Sequence, residues 1–96
     1  MAETLIIISL SIVISRAVKA GLISQVLRDR LAGGAEVDLL REITLEMAVR
    51  DRNRADGLEM IALELEAAGG WARAWSAAPG HARETWTATV DLLRSR

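Results

Sequence analysis

Residues 5–15, LIIISLSIVIS, carry no charge, and no later uncharged interval of the chain is as long. Water disfavours leaving so much apolar side chain exposed, so whatever covers this run sets the architecture. Two conformations fit it. As a strand, Ile6, Ile8, Leu10, Ile12 and Ile14 point one way and Ile7, Ser9, Ser11, Val13 and Ser15 the other, a period of two in a run rich in β-branched residues. As a helix, Leu5, Ile8, Ile12 and Ser15 share a face, Ile7 and Ile14 widen it, and Thr4 is an available N-cap. A strand requires a mate, and only Trp86-Thr87-Ala88-Thr89-Val90 alternates in a similar way. Context therefore favours helix. The expected fold is all-α: a single domain over residues 1–96, a small bundle of about four helices completed by oligomerisation. The alternative is α+β, with strands at residues 5–15 and 85–90.

A membrane role fits the run poorly. Eleven residues span about 16 Å as helix, roughly half a bilayer core. Three of them are serines, and Glu3 stands where a secretory signal wants positive charge. The expectation is a cytoplasmic chain without a membrane partner.

Beyond the run, helical spacing improves. Ala17, Ala20, Ser24, Leu27 and Leu31 follow a 3–4 rhythm that ends at Gly33-Gly34. A second helix is predicted over residues 37–52 on the stripe Val37, Leu40, Ile43, Met47 and Ala48. A third is predicted to start at Asp56, with Glu59 completing a capping box, and to close at Gly69-Gly70. Residues 76–80, Ser-Ala-Ala-Pro-Gly, read as a turn or kink, and Ala82, Trp86, Val90 and Leu93 as the inner face of a last helix.

Composition narrows the function classes. The 96 residues are 51% hydrophobic and 26% charged, a globular profile too short for two independent cores. Without cysteine, disulfides, thiolate metal sites and cysteine catalysis are excluded. His81 is the only histidine and follows Pro79-Gly80, far from any acidic cluster in sequence, so a surface or hinge position suits it better than a general base. Glu42, Glu46, Glu59, Glu64 and Glu66 could face one another across two helices, but the Glu-x-x-His pair of di-metal bundles is missing. They read as solvated faces. No metal, cofactor or small-molecule ligand is implied, and no enzymatic activity is expected.

Charge is laid out in blocks. Residues 31–70 hold nine acids against four arginines, while both flanks are net basic around an overall charge of −1. Such a layout suits self-association or a charged partner more than nonspecific nucleic-acid binding.

Gly21-Leu22 and Ala32-Gly33-Gly34 recur 36 positions later as Gly57-Leu58 and Ala68-Gly69-Gly70. Such glycine-bounded segments resemble ankyrin second helices, but the Thr-Pro-Leu-His signature of that family is absent. Two helices of similar length ending in glycine pairs is the simpler account. Residues 15–31, SRAVKAGLISQVLRDRL, resemble a helix-turn-helix unit. Ala17 falls at its small position, Gly21 at its turn, and Leu22 and Leu27 at core positions. That resemblance implies a DNA-binding regulator in which Ser24, Gln25 and Arg28 face the major groove. Arg30 departs from the pattern by standing at or beside the next core site.

The stronger expectation is a non-enzymatic protein-interaction or homo-oligomeric assembly module, packing its apolar N-terminal segment on a partner. Ile7, Leu10 and Ile14 are its candidate interface residues. Trp71, Trp75 and Trp86 join them as anchors, or serve as bulky plugs in a core lacking Phe and Tyr.

Overall fold

The computed structural model describes residues 2–95. Among these described residues six helices follow one another: α1 (Ala2–Lys19), α2 (Gln25–Leu31), α3 (Val37–Ala48), α4 (Arg52–Ala67), α5 (Trp71–Ala77) and α6 (Gly80–Arg94). Among the described residues there is no strand, so residues 5–15 and 85–90 are helical. The α+β alternative is thereby corrected.

α1 is the hub. It packs against α4, α5 and α6, while α3 pairs with α4, and α2 bridges α3 and α6. Its buried line is Ile7, Leu10, Ile14 and Ala17, all fully buried, with Ile6 and Ser11 beside them. The predicted face is rotated away from this line: Leu5 and Ile12 are exposed, and Ile8 and Ser15 only half-buried. Tracing the 3–4 spacing backward from Ala17 finds the correct face, whereas starting from Leu5 does not. Each large α1 side chain buried in this way contributes roughly 1.5–3 kcal/mol. Ser11 is tolerated at the centre because its hydroxyl donates to the Ile7 carbonyl at 2.8 Å.

Six helices replace the expected four because glycine ends α1 early and an additional short helix forms after α4. At Gly21 φ is 71°, and the Leu22 amide reaches back to the Ala17 carbonyl while the Gly21 amide bonds that of Val18. This is a Schellman cap, and the two residues it joins, Ala17 and Leu22, are both buried. The same cap recurs after α4, where Gly70 reaches Leu65 and Gly69, at φ 99°, reaches Glu66. Gly57, the expected partner of Gly21 in the internal echo, lies instead inside α4. The echo is therefore confined to glycine-rich helix ends.

α4 also begins earlier than its capping-box spacing suggests. Asp51 is the N-cap, accepting the Arg54 amide at 3.0 Å, and Asp56 falls one turn inside the helix. α3 accordingly stops at Ala48, short of residue 52.

The molecule measures 32 × 26 × 18 Å with a radius of gyration of 12.0 Å. A self-contained domain of this length is expected near 12.5 Å, and 18 Å accommodates two helix layers. The core is filled by this chain's own helices. No helix among the described residues is long and apolar enough to cross a membrane.

Candidate functional site

Ile7, Leu10 and Ile14, expected at a partner interface, are fully buried inside this chain. Their cover comes from α4, α5 and α6. The sequence shows that this run needs burial on several sides. It does not show that the chain itself supplies it, because the covering helices lie in the second half of the sequence.

The three tryptophans converge. Trp71 stacks on Trp75 with ring centroids 5.5 Å apart and meets Trp86 at 5.0 Å. Trp71 and Trp86 are buried and Trp75 is half-buried, so the cluster serves chiefly as packing between α5 and α6. Arg83 locks it. Its guanidinium lies 5.6 Å from the Trp75 ring centroid and donates to the carbonyls of Trp75 and Ser76, the free end of α5. A groove of about 280 Å³ is lined by the three tryptophans together with Gly33 and Gly34.

The residues expected to read DNA lie apart in role. Ser24 and Gln25 are exposed, and Gln25 donates to Asp29 at 2.9 Å. Arg28 turns inward, donating to the carbonyls of Leu92 and Ser95 at the end of α6. Leu22 and Leu27 are buried, in keeping with helix-turn-helix spacing, but α2 is only seven residues long.

Two of the five glutamates pair with arginines. Glu42 meets Arg30 at 3.0 Å and Glu66 meets Arg41 at 2.9 Å, both in exposed settings. His81 is exposed on the first turn of α6. A groove of about 520 Å³ between α1 and α6 is lined by Ser11, Ser15, Thr85 and Thr89 together with Arg16 and Lys19. Three of those hydroxyls bond carbonyls one turn back on their own helices, and Ser15 sits 3.4 Å from Thr89. They are committed to the scaffold.

The outer face of the α3–α4 hairpin is different. Leu45 is 73% exposed, Val49 87%, Met60 61% and Leu63 52%. Val49 lies one turn beyond Leu45, and Met60 and Leu63 are three apart on α4, so each pair shares a surface. Between the helices a groove of about 360 Å³ is lined by Arg41, Thr44, Leu45, Glu59 and Leu63. Sequence reasoning missed these four residues, although a signal was present. The inner stripe of α3 is complete with Leu39, Leu40, Ile43 and Met47, and that of α4 with Leu58, Ile61, Ala62 and Leu65. Leu45, Val49, Met60 and Leu63 are surplus to both stripes.

Comparison with protein-family models, with curated protein sequences and with solved structures finds no match to this chain.

Proposed function

We propose that the chain is a non-enzymatic protein-interaction module that docks through the outer face of α3 and α4. One observation carries this reading: four large apolar side chains stand more than half exposed on adjacent helices of a chain whose core is already full. The interface assigned to α1 on sequence grounds moves to α3 and α4, because Ile7, Leu10 and Ile14 have no exposed surface to offer. The surface suits an apolar helical partner laid along the groove between Leu45 and Leu63.

A photo-crosslinking residue in place of Leu45, and separately of Leu63, tests this in the expressing cell. Both positions are expected to give one discrete adduct, identified by mass spectrometry as the same partner sequence, with none from a control at His81. No adduct from either position in a folded protein overturns the reading.

A DNA-binding alternative draws support from the buried Leu22 and Leu27 around the Gly21 turn and from the exposure of Ser24 and Gln25. It is weakened by Arg28, one of whose terminal nitrogens donates to the Leu92 and Ser95 carbonyls at the end of α6. Absence of a duplex mobility shift at low salt removes it.

A further inference from the structure

Resting on the reading of the α3–α4 face as a docking surface, we infer that its occupant is a second copy of the chain, laid antiparallel about a two-fold axis. In an isologous contact each feature must meet its complement at the same distance across the axis. With the axis passing at the level of Leu45 and Glu59, the hairpin meets that demand in both shape and charge.

The shape match pairs a knob with a groove. Val49, the most exposed large apolar side chain, lies four residues from Leu45 toward the loop joining α3 to α4. Arg41 and Leu63, at the far end of the groove, lie four residues to the other side of Leu45 and Glu59. At 1.5 Å per helical residue both offsets are about 6 Å. Rotation about the axis therefore brings Val49 of each copy over the Arg41–Leu63 end of the other's groove.

The charge match runs in the same direction. Around the loop, Arg50, Arg52 and Arg54 stand against Asp51 and Asp56, leaving that end net positive. At the opposite end Arg41 is shared between Glu66 at 2.9 Å and Asp38 at 3.9 Å, two carboxylates on one guanidinium, leaving it net negative. Arg52 and Asp38 each lie on the order of 10 Å from the middle of the patch by helical rise. Antiparallel packing lays each helix on its own copy, so the Arg50 and Arg52 end of one hairpin meets the Asp38 and Glu66 end of the other, twice by symmetry. Parallel packing would set like ends together. Glu59 stands nearest the axis, where it approaches its own copy.

The test is the mass and dissociation constant of the purified chain by light scattering and sedimentation, with circular dichroism confirming that each variant is helical. The expected result is a dimer that Leu45→Asp or Val49→Asp abolishes. Arg52→Glu and Asp38→Arg are each expected to raise Kd on the order of tenfold at low salt. The double swap, Arg52→Glu with Asp38→Arg, restores it. Glu59→Gln tightens the dimer, since a like-charge contact is removed. A monomer up to millimolar concentration overturns the inference, as does a dimer indifferent to Leu45→Asp and Val49→Asp. A double swap no better than its parents, or a Glu59→Gln dimer that is weaker, overturns the antiparallel arrangement. If the chain is monomeric while crosslinks from Leu45 and Leu63 capture one other sequence, the second copy is refuted and the docking surface stands. If neither appears, both fall.

Discussion

At Gly34 the backbone φ is 135°, and a Cβ built there would stand 2.8 Å from Trp71 Nε1. Glycine is required twice over, for the dihedral and for the approach of the indole. Gly34→Ala is expected to cost about 1–3 kcal/mol, read as a fall in melting temperature with a change in tryptophan fluorescence. Gly33→Ala should cost less, since its φ is ordinary and its nearest contact is the Arg30 carbonyl at 3.3 Å. Asp51 offers a test through pH. The Arg54 amide, followed by the Arg54 guanidinium, holds its carboxyl below the ordinary carboxylate value. Its stabilisation is therefore present above the unfolded pKa of about 3.9 and is lost as pH falls through the lower folded value. Asp51→Ala is expected to melt below the parent at neutral pH, with the gap narrowing below about pH 4. Neither role is stated by sequence alone. A glycine pair announces a helix end but not which aromatic rests on it, and Asp56-Gly57-Leu58-Glu59 is the more persuasive cap on paper.

Among the elements, α3, α4 and α6 were legible because their apolar stripes keep one phase between charged positions. Leu40, Ile43 and Met47 in α3, and Ala82, Trp86 and Leu93 in α6, are buried where the spacing put them. α1 was legible as apolar but not as to its face, since a run without charge has no polar side to fix the phase. α5 was missed. Its seven residues lack a side-chain N-cap, and its C-terminal carbonyls are satisfied by Arg83, a residue of the next helix. Helices this short are held by such tertiary contacts rather than by propensity. The two sides of the molecule should answer truncation differently. Leu10→Ala in α1 is expected to cost about 2–5 kcal/mol in chemical denaturation. Leu45→Ala, measured on dilute monomer, should stay within about 0.5 kcal/mol. A large loss from the second would show Leu45 to be part of the core.

For the whole molecule, helical class and compactness follow from composition and spacing, while assembly does not. The block of acids in residues 31–70 was visible in sequence, but only the pairing of α3 with α4 turns it into a hairpin with a basic loop end and an acidic open end. The four exposed apolar residues were likewise on view, yet they could be separated from the core only once the inner stripes were known to be full. The candidate surface was therefore less legible than the fold, because it consists of what packing leaves over.

α1 lies at one end of this fold's sequence, and much of its cover, in α5 and α6, lies at the other. Synthesis proceeds from the N-terminus at about 5–20 residues per second, so α1 leaves the ribosome several seconds before α6. Through that interval the most apolar segment has only part of its lid, and the native arrangement closes when the last helix arrives. A growing chain of this kind is expected to need whatever machinery shields nascent hydrophobic helices. Ribosomes stalled before residue 80 should present Ile7, Leu10 and Ile14 to that machinery, and release of the segment carrying Trp86 and Leu93 should withdraw them.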